Sequence, residues 1–152
     1  MNNEIKVLLL EDDVFDGKLL IRQLKKNWNT VTCERVYSAQ DMISLLRERS
    51  WDIILSDFKM PQFSGLQALE ILKDSHLDIP FIMISGAIGE DKAVEVMKAG
   101  AQDYILKDTI DRLCPVIERE LRESANRKNR KEAVKALSES ERIWSITFSA
   151  IA

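Results

Sequence analysis

Cysteine is nearly absent from this sequence: Cys33 and Cys114 are the only two, and no CxxC or metal-ligand spacing joins them. That excludes a disulfide framework and a cysteine-built metal site, and predicts two reduced thiols packed as small hydrophobes. Histidine is rarer. His76 stands alone in the turn-like stretch DSHLDIP, so no catalytic triad or histidine relay can be built around it. No apolar run reaches 18 residues and no signal pattern of basic, apolar and small residues opens the chain, which predicts a soluble, cytoplasmic protein without a membrane span. The basic cluster RKNRK at 127–131 lies among glutamates on a helical stretch, with no helix-turn-helix pattern after it. It reads as a solvated face, and no nucleic-acid partner is expected.

What is abundant is apolar rhythm and acid. At 152 residues and 45% hydrophobic, the chain can build one full core and an appendage. Residues 1–108 hold 13 basic and 18 acidic side chains and residues 109–152 hold nine and seven, a change of sign that marks a boundary. Short apolar runs at Ile5–Leu10, Val31–Val36, Asp52–Ser56, Phe81–Ser85 and Tyr104–Leu106 read as strands. Between them run helical stripes: Leu19, Leu20, Gln23 and Leu24; Met42, Ile43, Leu45 and Leu46; Leu66, Leu69 and Leu72; Ala93, Val94 and Met97. Gly100 suits the position just past the fourth helix, where positive φ is needed. Trp28 and Trp51 flank strand starts as lids on the core, and Met83 lies within it. Alternating strands and helices predict an α/β fold: a parallel sheet covered on both faces, doubly wound by right-handed crossovers.

In such sheets the functional crevice lies beyond the carboxyl ends of the strands. Strand one runs into Glu11-Asp12-Asp13, strand three into Asp57, strand four ends in Ser85 and strand five in Lys107. Carboxylates gathered at one point suit a hard divalent cation, and magnesium needs only one or two of them beside a phosphate. A carboxylate can also attack phosphorus to give an aspartyl phosphate, with a metal, a cation and a hydroxyl neutralising the transferred oxygens. Asp12 and Asp57 with a metal, Lys107 and Ser85 supply these parts.

The stretches VLLLEDD, DIILSDFKMPQFSGLQALEIL, PFIMISG and AVEVMKAGAQDYILKD together resemble the receiver domains of two-component response regulators, over about residues 4–123. The resemblance implies a flavodoxin-like, five-stranded sheet of order 2-1-3-4-5. It implies that Asp57 accepts the phosphoryl group from a histidine kinase or phosphotransfer protein. Glu11 and Asp12 would hold Mg2+, with Asp12 a direct ligand, Glu11 acting through water, and the backbone carbonyl of Lys59 giving a third protein oxygen. Ser85 and Tyr104 would be the switch hydroxyl and aromatic, and Lys107 would pair with the acyl-phosphate. Asp13 would cap the first helix, with Asp16 in its first turn. Receivers usually follow this lysine with a cis proline. Here Asp108 follows, and a trans bond is expected because a non-proline cis bond costs about 3–4 kcal/mol. The alternative is a degenerate receiver that binds protein partners without phosphate. A flavin-binding relative would need a phosphate loop where the three acids stand, and a haloacid-dehalogenase-like phosphatase would need an aspartate where Lys59 stands.

Beyond Lys107 the pattern is helical. Leu113, Ile117 and Leu121 form one stripe, with Pro115 tolerated near the start. Val134, Leu137, Glu141 and Trp144 then mark a second, rotated seam spaced like a coiled coil, so that one helix over about 116–146 would pair in a homodimer. The expected organisation is a receiver at 1–123 and a helical linker at 124–152. The end of that linker, ALSESERIWSITFSAIA, resembles the entry to a PAS domain, making the chain the front of a longer protein with its output domain downstream. No separate enzyme domain is evident in the chain.

Overall fold

The computed structural model describes residues 2–86 and 89–151, and the side chains of those residues apart from Asn2, Glu90 and 145–151. The expected alternation is present: β1 (Asn2–Leu10), α1 (Val14–Lys25), β2 (Trp28–Val36), α2 (Ala39–Glu48), β3 (Ile53–Asp57), α3 (Gly65–Ser75), β4 (Phe81–Ser85), α4 (Glu90–Lys98), β5 (Asp103–Leu106), a 3-10 turn (Lys107–Arg112) and α5 (Leu113–Ile151). The five strands pair in parallel in the order β2-β1-β3-β4-β5.

The strands are apolar at nearly every position because both faces are covered. Ile5, Val7 and Leu9 of β1 enter one core with Leu20 and Leu24 of α1 and Leu113 and Ile117 of α5. Leu8 and Leu10 point the other way, into a core with Met42, Leu69, Leu72 and Val96 from α2, α3 and α4. Trp28 closes the first core and Trp51 the second, where its indole N–H donates to the carbonyl of Leu45 at 2.9 Å. Met83 is fully buried. Cys33 is half-buried and Cys114 buried, both unbridged, and burial pushes the Cys33 thiol up to about 11.

Several boundaries differ from the sequence expectation. β1 and β2 each begin three residues early, because Asn2 and Trp28 open a ladder that runs in register to Leu10 and Val36. Backbone pairing carries Asn2, Glu4 and Thr30, polar residues with no apolar signal, beside the buried Trp28. β3 starts at Ile53, not Asp52: the Asp52 carboxylate accepts from the Lys6 N–H at 2.8 Å and caps the strand. Two helical stripes are corrected. Leu19 is exposed while Leu20 and Leu24 are buried. On α4, Val94 and Met97 face outward, and Val96 is buried with Ala99 packed beside it. An i, i+3 pattern on so short a helix fits two phases, and the sheet selects the one holding the β-branched Val96.

Turn chemistry matches expectation more closely. The Asp13 carboxylate accepts from the Asp16 N–H at 3.0 Å as the α1 cap. Ser64 and Gln67 form a reciprocal capping box at α3. Gly100 has φ +111°. His76 is an exposed, left-handed cap at the end of α3. The Lys107–Asp108 bond is trans, as is every described peptide bond.

The chain divides into two compact units, Met1–Leu121 and Arg122–Ala152. The second is helical, and Val134, Leu137, Glu141 and Trp144 are all exposed on it. The resemblance of its end to a PAS entry spans residues 136–152, of which the side chains of 145–152 are outside the described ones. Among the described residues, no helix is long and apolar enough to cross a membrane.

Candidate functional site

The parallel ladder brings the chemistry to one edge. Leu10 pairs with Ser56, Asp57 with Ile84 and Ser85 with Leu106, so Glu11, Asp12, Asp57, Ser85 and Lys107 all emerge where neighbouring strands end. Asp57 is still within β3, and only 9% exposed. Gly65 lets α3 start directly over it: a Cβ there would lie 2.7 Å from the Asp57 carbonyl oxygen and 2.4 Å from Met83 Sδ. That close approach is why a glycine follows the SDFKMPQFS stretch.

Carboxylate oxygens of Glu11, Asp12 and Asp57 lie within 4.8 Å of one another. Lys107 Nζ is 3.7 Å from Glu11 Oε2 and 3.8 Å from Asp57 Oδ2. Its shortest contact is with Asp16 Oδ2, at 2.7 Å. Asp16 is thus part of the site, although its sequence position implies only a place in the first turn of α1. The available signal was its spacing: one helical turn beyond Asp12, on the helix that starts at this edge. Arg35 was also missed. Its NH1 donates to the carbonyls of Glu11 and Asp12 at 2.9 and 3.4 Å. Tyr104 is half-buried against the α2–α3–α4 core, and Lys59 is exposed two residues past β3.

The electrostatics follow from crowding and burial. Glu11 is 1% exposed, and burial raises its pKa to about 7; the Asp13 N–H opposes that rise and Asp57 adds to it. Burial also raises Asp57, against the pull of Lys107 and of the Phe58 and Lys59 N–H groups. Burial acts to lower Lys107, but its hydrogen bond to Asp16 and the charges of Asp57 and Glu11 outweigh it, and the net shift is upward. One ammonium therefore meets three carboxylates, and Asp12 adds a fourth to the cluster. Glu11 Oε2 is buried with no hydrogen-bond partner among the described residues. Lys107, at 3.7 Å, is beyond hydrogen-bond reach, and a buried acceptor left in this way is costly unless a cation approaches closer. Hard oxygen donors around an excess of negative charge fit a small divalent cation.

The family model described as the response regulator receiver domain matches residues 7–118. Transcriptional regulatory protein ZraR of Salmonella typhimurium is 30% identical over 122 residues, 80% of this chain and 27% of ZraR. Regulatory protein LuxO of Vibrio vulnificus is 35% identical over 95 residues, 62% of this chain and 21% of LuxO. The chain thus spans about a quarter of the length of these curated relatives. Among solved structures, NtrX from Brucella abortus superposes with a TM-score of 0.76 at 25% identity, covering 87% of this chain and 30% of that one. The receiver domain of Francisella response regulator 1452 superposes at 0.70 and 23% identity, covering 79% and 98%. That second likeness shows the fold. The motifs, the sheet order and the matched family agree, and this chain belongs to the receiver domains of two-component response regulators.

Proposed function

We propose that this receiver accepts a phosphoryl group on Asp57 from a histidine kinase or phosphotransfer protein. The observation that carries the reading is the convergence of Lys107 on Asp57 and Glu11 at 3.8 and 3.7 Å, where the buried Glu11 Oε2 has that ion pair but no hydrogen bond among the described residues. An Asp57 carboxylate oxygen forms the new O–P bond as the donor's P–N bond breaks, and the donor imidazole keeps that electron pair. Lys107 and the Phe58 and Lys59 N–H groups hold Asp57 available as the carboxylate. Lys107 neutralises one transferred oxygen, and Ser85, on the adjacent strand end, donates its hydroxyl to another. Glu11, Asp12, Asp57 and the Lys59 carbonyl would hold Mg2+, which supplies charge neutralisation at the remaining phosphoryl oxygens.

The shift of Ser85 toward the phosphoryl group frees space that Tyr104 repacks into, remodelling the face made by α4, β5 and α5. Residues 1–123 act as the receiver and 124–152 as a helical linker to a PAS-like domain in the cytoplasm. The exposed Val134, Leu137 and Trp144 seam supports pairing with a second copy, and the greater length of ZraR and LuxO supports an output domain downstream. Incubation with Mg2+ and acetyl phosphate should add one phosphoryl group by intact mass, and Asp57→Asn should abolish it. A parent protein that never gains mass would favour the degenerate, phosphate-independent module.

A further inference from the structure

We infer that Arg35 is a positioning residue for the acidic pair, bracing the backbone of Glu11 and Asp12 so that their carboxylates converge on a shared cation; this rests on the metal-site reading above. Arg35 sits near the end of β2, paired with Leu9, two residues before Glu11. Its guanidinium donates to the carbonyl oxygens of Glu11 and Asp12 and to neither carboxylate. Two further contacts fix its conformation. The guanidinium carbon lies 5.6 Å from the centre of the Tyr37 ring. The aliphatic stem crosses Gly17 of α1 so closely that a Cβ there would stand 2.9 Å from Arg35 Cδ.

Three successive acids at a strand end repel one another and splay the turn that carries them. A cation bound to their carboxylates would relieve that repulsion but occupy the oxygens a metal needs. A guanidinium bound to their carbonyls supplies positive charge and two charge-assisted bonds while leaving the carboxylates open. Both bonds come from one nitrogen, Nη1, of a planar group held against the Tyr37 ring, an orientation that a freely rotating lysine ammonium does not share. Lys107 and Arg35 therefore divide the work: one meets the carboxylates, the other the backbone behind them.

The test titrates Mg2+ alone into the full chain, follows the Asp57, Phe58 and Lys59 amide resonances, and measures melting separately in chelator. Arg35→Met keeps the stem over Gly17 and removes the guanidinium. Its Mg2+ dissociation constant should rise about tenfold, with a metal-free melting temperature within about 4 °C of the parent. Arg35→Lys should recover part of the affinity. Gly17→Ala, which leaves the charge in place and pushes the stem aside, should weaken Mg2+ in the same direction. With acetyl phosphate, Arg35→Met should need more Mg2+ for half-maximal modification yet match the parent rate at saturation. Equal Mg2+ affinity in the parent and Arg35→Met overturns the inference and leaves the metal site standing. A loss of affinity that tracks a fall in melting temperature, with no recovery in Arg35→Lys, also overturns it. Absence of Mg2+ binding by the parent would overturn the metal-site reading and this inference together.

Discussion

Lys107 is held most tightly by a residue that carries no phosphate chemistry. Asp16, at 2.7 Å, contributes more to raising the lysine's pKa than either Asp57 or Glu11. Asp16→Asn should therefore lower the Lys107 pKa further than Asp57→Asn does, read from the Lys107 Cε chemical shift during titration; the reverse order would contradict this geometry. Glu11 makes a second prediction, about pH. Its folded pKa of about 7 lies above the unfolded value of 4.5, so between those two values the folded state binds the proton more tightly. The metal-free protein should keep this contribution fully below pH 4.5 and lose it as pH rises to about 7, by on the order of 3 kcal/mol. Chemical denaturation across that range should show the slope, and Glu11→Gln should remove it. The acids, Ser85 and Lys107 were legible in the sequence because each directly follows or ends an apolar strand. Asp16 and Arg35 were not. Their roles depend on which helix starts at the edge and which strand lies beside β1, and neither is written in local pattern.

At the scale of elements, the fold was readable because a parallel strand buried on both faces is a short, nearly continuous apolar run. The misreadings fall where that signal thins. The polar opening of β1 is held by ladder bonds to β2, which opens on the buried Trp28, and the phase of α4 is chosen by Val96 against the sheet. The junction of β3 with α3 makes the sharpest demand on one residue. Gly65→Ala would drive a Cβ against Met83 and the Asp57 carbonyl, whereas a Cβ at Gly86 meets nothing within 4 Å among the described residues. Gly65→Ala should cost about 2–3 kcal/mol in urea unfolding, and Gly86→Ala under about 0.5 kcal/mol. Equal costs would mean that α3 does not press on the strand end as described.

For the whole molecule, the second unit presents Val134, Leu137 and Trp144 to solvent, the last 69% exposed. A helix with one apolar edge is marginal in water without a partner. If a second copy covers that edge, sedimentation of the full chain at micromolar concentration should give a dimer, and Leu137→Glu should return a monomer. A parent monomer would reject the pairing, and an unaffected dimer would move the interface off this seam. The proposed phosphoryl transfer ends on one atom group, the Asp57 carboxylate. Treating the phosphorylated protein with borohydride reduces an aspartyl phosphate to homoserine, and peptide sequencing then locates it. Homoserine is expected at position 57 alone; homoserine at Glu11's neighbour Asp12 or at Asp16, or none from a protein that has gained phosphate, would contradict transfer to Asp57.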